Sequence, residues 1–219
     1  MSEAQSRGIR RTVAIVLVAI VIMVLGFIWR INQPIVMHDS ELRANGAIMF
    51  ETPRRFSELQ LTDHNGQPFT KESLQGVWTI AFFGFTNCPD ICPATMSVLG
   101  EMYSKLRERE RERMQVIMVT LDPERDSVEL LSEYVPYFND EFIGVTGSEP
   151  RIKRWSAEMN IAYGQVPLEG DNYTIDHSTQ LVLINPRGDY HGLFKAPHNE
   201  MVLRKTWRSI DATFDAWPE

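Results

Sequence analysis

Two cysteines stand four residues apart in Gly84-Phe85-Thr86-Asn87-Cys88-Pro89-Asp90-Ile91-Cys92-Pro93, and the chain contains no others. A pair at that spacing can close a disulfide, cycle between disulfide and dithiol, or hold a soft metal ion. A purely structural disulfide would close a ring of five residues and add little folding entropy. Structural zinc wants four donors, and no further cysteine is available to supply them. A redox pair and a copper site remain, and copper as Cu(I) is content with two thiolates and one imidazole.

The imidazole would come from one of five histidines. His38 falls in a polar N-terminal stretch and His64 in an Asp-His-Asn-Gly turn. His191 lies inside a strand pattern, and His198 follows Pro197 near a helix start. His177, in Tyr173-Thr174-Ile175-Asp176-His177-Ser178-Thr179, differs in having the Asp176 carboxylate beside it, a group able to orient a ligating ring. The residues alone leave the choice among the five open.

The cysteines need elements to hold them. Residues 77–85 (VWTIAFFGF) are a nearly continuous apolar run, the pattern of a strand buried on both faces. Residues 94–113 read as a helix, with Val98, Leu99, Met102, Tyr103 and Leu106 at three- and four-residue spacings. Pro93 suits the first helical position, which places Cys92 near the N-cap and Cys88 in the turn before it. The positive end of that helix then favours thiolate at both sulfurs.

Beyond them, residues 56–70 have hairpin grammar around Asn65-Gly66. Residues 115–121 form a second buried strand, and a helix follows over 127–138, with Asp126 as its cap. A short strand is expected at 142–146, a helix at 148–160 and a hairpin over 180–195 about Asn185-Pro186-Arg187-Gly188. The last helix runs over 199–216. This order predicts an α/β mixed sheet with helices on both faces and an N-terminal β-hairpin. The alternating run 107–113 (RERERER) reads as a solvated helix end. Met96 and Met102 read as core-facing rather than as thioether ligands.

The 219 residues carry 22 basic and 29 acidic side chains, a net charge of −7. Residues 1–31 hold four arginines and one glutamate, or +3, leaving 18 basic and 28 acidic side chains, or −10, over 32–219. The acidic balance excludes nucleic acid as main partner. Between Arg11 and Arg30 the 18 residues 12–29 are uncharged, a helix of about 27 Å against a hydrocarbon core of about 30 Å. A cleavable signal peptide has a shorter apolar run that ends in small residues, whereas this run ends at Trp29-Arg30. An uncleaved anchor is therefore expected. Residues 1–11 lie in the cytoplasm because Arg7, Arg10 and Arg11 hold that end inside. Residues 12–29 span the membrane, 30–54 form a tether, and 55–219 fold outside, in the periplasm of a Gram-negative source.

These motifs resemble the Sco/SenC copper proteins. The resemblance covers about residues 55–215 and rests on residues 83–93 around the cysteines, on Thr120-Leu121-Asp122-Pro123-Glu124-Arg125-Asp126, and on Ile175-Asp176-His177-Ser178. It implies a thioredoxin-like fold and copper, as Cu(I), Cu(II) or both, bound by Cys88, Cys92 and His177. Asp122 matches the family's acidic residue near the site. The implied role is that of a metallochaperone rather than an enzyme, acting in assembly of the dinuclear copper centre of cytochrome c oxidase. Its partners would be the copper-accepting subunit and a thioredoxin-like reductant. The alternative is a thiol–disulfide oxidoreductase in which Cys88 and Cys92 are the redox-active, catalytic pair.

Overall fold

The computed structural model describes residues 3–31, 36–170 and 172–214. It divides into two units, residues 1–36 and 37–219. The first contains α1 (Glu3–Ile31). Its stretch Arg10–Ile31, 22 residues containing an 18-residue window of mean hydropathy 2.9, is long and apolar enough to cross a membrane.

The second unit begins earlier than expected. Residues 39–54, expected as part of a tether, form α2 (Asp39–Ala44) and β1 (Ala47–Arg54). Pro53 is accommodated because β1 is an edge strand whose register slips between Met49 and Arg54, where a missing amide costs nothing. The short α2 is held by burial of Leu42 and a Met37 amide donating to Ser209 Oγ at 2.7 Å, contacts that local periodicity does not encode.

Next come β2 (Gln60–Asp63) and β3 (Pro68–Thr70), the expected hairpin with Asn65-Gly66 in its turn. β4 (Trp78–Gly84) leads into α3 (Ile91–Ser104) and the single turn α4 (Glu108–Arg111). β5 (Met114–Thr120), α5 (Val128–Tyr134), β6 (Ile143–Thr146) and α6 (Glu149–Glu158) follow. A second hairpin, β7 (Tyr163–Pro167) with β8 (Tyr173–His177), was not anticipated. β9 (Leu181–Ile184), β10 (Tyr190–Phe194) and α7 (Glu200–Thr213) complete the fold.

Eight strands form one mixed sheet in the order β1-β10-β9-β4-β5-β6-β2-β3, with β7 and β8 a separate ribbon. β4 is parallel to β5 and antiparallel to β9. All seven of its residues are buried, as a continuous apolar run demands when both sheet faces are covered. Side chains alternate along it. Trp78 stacks edge-on against Phe214 at the end of α7, and its indole N–H donates to Asp211 of α7 at 2.9 Å. Phe83, on the opposite face, meets Trp155 of α6 at 5.3 Å. Helices therefore lie on both faces.

Three local expectations change. The helix expected over 94–113 starts at Ile91 and stops at Ser104, so Pro93 is its third residue, where a missing amide is still harmless. The charged run 107–113 is not simply solvated. Glu110 of α4 accepts two bonds from the Arg208 guanidinium at 2.8 and 2.7 Å, and Arg113 pairs with Asp211 at 2.8 Å. Ser127, not Asp126, caps α5, its side chain accepting from the Leu130 amide.

Candidate metal centre

β4 carries the chain to the cysteine loop, and α3 receives it. Cys92 is the second residue of α3 and fully buried, while Cys88 sits half-buried in the loop. Both are free thiols. The Cys92 amide, which has no intrahelical acceptor at the helix start, donates to Cys88 Sγ at 3.4 Å. Gly84 permits the close approach of strand and helix: a Cβ there would stand 2.6 Å from the Phe82 ring and 3.0 Å from Cys92 Sγ.

His177 ends β8, and its Nε2 lies 3.6 Å from Cys92 Sγ. Its Nδ1 is 3.0 Å from the Ser178 carbonyl oxygen. A carbonyl only accepts, so Nδ1 carries the proton and Nε2 turns a lone pair toward the sulfur. The orienting group is thus the Ser178 backbone, not the Asp176 carboxylate expected from the sequence. Asp176 is exposed because adjacent strand residues point to opposite faces. Phe82 and Phe85 present their rings edge-on to the imidazole at 6.1 and 6.0 Å. Burial lowers the His177 pKa, against the opposing pull of the Ser178 carbonyl and the Asp176 charge, which keeps the ring neutral.

The thiolate expectation fails at Cys92. Burial, aided by the neighbouring Cys88 sulfur, pushes its pKa well above the ordinary thiol range and outweighs the helix end. Among the described residues no three His, Cys, Asp or Glu side chains are already gathered tightly enough to hold a metal ion. Cys92 and His177 are brought together, and Cys88 stands at the rim. The other histidines are engaged elsewhere. His38 precedes α2, and His64 Nδ1 accepts the Gly144 amide at 3.0 Å. His191 is buried against Trp78, and His198 Nε2 donates to the Thr179 carbonyl at 2.9 Å.

Two buried carboxylates support the loops. Asp126 accepts from the Thr86 hydroxyl at 2.5 Å, the Thr86 amide at 3.1 Å and the Thr120 hydroxyl at 2.6 Å, tying the cysteine loop to the end of β5. Sequence reasoning missed this role because Thr86 is 40 residues away. Asp122 forms an ion pair with Arg125 and accepts from the Tyr173 hydroxyl at 2.8 Å. Arg125 lies 3.7 Å over the Tyr173 ring and donates to the Tyr173 carbonyl at 2.9 Å. Asp122 therefore acts on the hairpin that carries His177 rather than on the sulfurs.

Comparison with known proteins finds relatives described as copper-binding or solved with copper bound. A Stutzerimonas stutzeri protein provisionally described as copper-binding is 37% identical over 150 residues, 68% of this chain and 74% of that protein. The mitochondrial SCO2 homologue of Mus musculus is 35% identical over 166 residues, 74% of this chain but 64% of its own length. The crystal structure of Arabidopsis thaliana ScoI with copper bound superposes with a TM-score of 0.67 at 30% identity, covering 73% of this chain and 98% of that one. Residues 51–210 match the SCO1/SenC family, and with a thioredoxin-like α/β fold shared with solved Sco structures the chain belongs to that family.

Proposed function

We propose that the protein is a membrane-anchored copper chaperone that carries copper on Cys88, Cys92 and His177 and hands it to the copper-accepting subunit of cytochrome c oxidase during assembly of the dinuclear centre. The observation that carries this reading is the 3.6 Å approach of Cys92 Sγ and His177 Nε2, with the ring's other nitrogen bonded to Ser178. Bonds of about 2.3 Å to sulfur and about 2.0 Å to nitrogen, meeting at roughly 110–120°, span about 3.5–3.7 Å. The two donors already stand at that separation. Cys88 supplies the third from the more accessible side, where incoming thiolates of an acceptor can exchange with it.

Loading expels the thiol protons, so copper affinity rises with pH. A Cys88–Cys92 disulfide has no thiolate to offer. In an oxidising compartment the chain therefore depends on an external, thioredoxin-like dithiol, which becomes a disulfide as the pair is reduced. The contrast between half-buried Cys88 and fully buried Cys92 favours a second reading, a thiol–disulfide oxidoreductase in which the Cys88 thiolate attacks a partner disulfide, releasing one partner thiolate, and Cys92 then attacks Cys88 in the mixed disulfide, releasing the second partner thiolate and leaving a Cys88–Cys92 disulfide. α1 anchors the chain, and Arg7, Arg10 and Arg11 keep its start in the cytoplasm, placing the folded unit in the periplasm. Protease added to spheroplasts that spared the folded unit would refute this topology.

The deciding experiment titrates Cu(I) into the reduced full-length protein in detergent micelles. The chaperone reading expects one copper per chain and a loss of at least tenfold in affinity for His177→Ala, with thiol content unchanged. Equal affinity without His177 leaves only the oxidoreductase reading.

A further inference from the structure

In the ribbon that carries His177, the edge of β7 turned away from β8 is open. The Ser178 amide bonds the Ala162 carbonyl and the Leu168 amide bonds the Asn172 carbonyl, both at 2.9 Å, bracketing the β7–β8 ladder. Antiparallel alternation then directs the backbone groups of Gly164 and Val166 toward β8 and those of Tyr163 and Gln165 away from it. Among the described residues, no hydrogen bond reaches the Tyr163 or Gln165 backbone from that side. Gln165 is exposed.

Natural sheets blunt such edges with bulges, prolines, charge or brevity. The end strands of the main sheet obey this rule. β1 has its register break and Arg54, and β3 is three residues long and begins with Pro68. β7 has no charge, and its proline comes only at the fifth and last position. Tyr163, Gly164 and Gln165 line a groove of about 400 Å³ whose far wall holds Pro123, Glu124, Glu149 and Lys153. Asp122, also in that wall, is neutralised by Arg125. Two carboxylates against one ammonium leave the groove acidic. Val166 and Leu168, 43% and 50% exposed, add apolar surface at the far end of the strand.

We propose that β7 is a docking edge, onto which a partner polypeptide adds an extended segment bearing basic side chains at alternate positions. Outward amide and carbonyl groups at two-residue intervals are matched only by another strand, and the acidic wall selects Lys or Arg. Tyr163 pairs in register with His177, so the added strand runs two strand spacings, about 10 Å, from the His177 backbone. This deepens the chaperone reading by stating how an acceptor is held beside the sulfurs, and rests on it for the partner's purpose alone.

The test uses the reduced, copper-free full-length protein in micelles and a capped nine-residue peptide of alternating Lys and Val. Hydrogen exchange at the Tyr163 and Gln165 amides should slow at least tenfold at saturation, while an alternating Glu–Val peptide leaves both unchanged. Gln165→Pro deletes an outward amide, and Glu124→Lys with Glu149→Lys reverses the wall without touching the strand. Each should weaken Lys–Val binding at least fivefold and leave copper stoichiometry unchanged. Undiminished peptide binding in either variant, equal binding of the Glu–Val peptide, or protection confined to β1 or β3 overturns the proposal. Because no copper is present, this outcome and that of the copper titration are independent.

Discussion

The Tyr173 hydroxyl donates to Asp122 at 2.8 Å, joining the loop after β5 to the strand whose other end is His177. Burial, with the Asp122 acceptor and its charge, pushes the Tyr173 pKa up to about 12, so the phenol stays a donor throughout the physiological range. Tyr173→Phe removes this bond but keeps the ring under Arg125. A bond of this kind contributes about 1 kcal/mol. Copper affinity should fall roughly fivefold with both thiols still titratable, measured by competition against a Cu(I) chelator; unchanged affinity would show that Asp122 does not position His177.

Gly84 is where the backbone passes closest to a proposed ligand. Alanine there would force its Cβ to 2.6 Å from the Phe82 ring and 3.0 Å from Cys92 Sγ. Phe82 is fully buried and cannot swing away. Overpacking of this sort costs about 1–3 kcal/mol. Gly84→Ala should lower the unfolding free energy by that amount, read as a lower denaturant midpoint, and weaken copper binding by displacing Cys92, whereas Gly164→Ala, with open space around its Cβ, should change neither.

What could be read from the sequence divides along how local the determining contact is. The buried run of β4, the Asn65-Gly66 turn and the start of α7 at about Asn199 are written within a few residues and were found where expected. The β7–β8 hairpin was missed because Gly164-Gln165-Val166-Pro167 is exposed and β7 lacks apolar alternation. Its available signals were the Gly170 turn and the β-forming residues Tyr173, Thr174 and Ile175. The cysteine pair and His177 were legible by type and motif, but their supports were not. Ser178 acts through a backbone carbonyl, which every residue possesses, and Asp126 acts through Thr86 and Thr120, far away or out of helical register.

Asp126 provides a test of loop support that does not touch a thiol. Burial raises its pKa above the ordinary 3.8, an effect only partly offset by Thr120 and Thr86. The native state then holds its proton more tightly than the unfolded chain, so this group's contribution is full below pH 3.8 and is lost as pH rises through the native value. Asp126→Asn should flatten that part of the stability profile. It should also lower stability near pH 7 by about 1–2 kcal/mol, since the amide accepts at one oxygen only and leaves a Thr86 or Thr120 donor without a partner. A variant as stable as the parent at pH 7, in urea denaturation, would show that the loop is held by other contacts.

His191 pulls the acid profile in the opposite direction, which separates the two groups. It is fully buried against Trp78 at 5.1 Å and Phe214 at 5.9 Å. Burial, then the Arg187 charge, brings its pKa down to about 4 from 6.5. The unfolded chain takes up the proton first, so the stability linked to neutral His191 is complete above pH 6.5 and drains away as pH falls toward 4. The span corresponds to about 3 kcal/mol, or roughly 6–12 °C in melting temperature for a domain of this size. His191→Phe should remove that decline whatever it does to stability at pH 7, while Asp126→Asn should steepen it, because the compensating slope of the carboxyl is gone. Thermal melts of the three proteins between pH 7 and 4 distinguish the contributions. Parallel profiles for the parent and His191→Phe would mean that the ring takes up its proton equally in the folded and unfolded chain, so that folding does not lower its pKa.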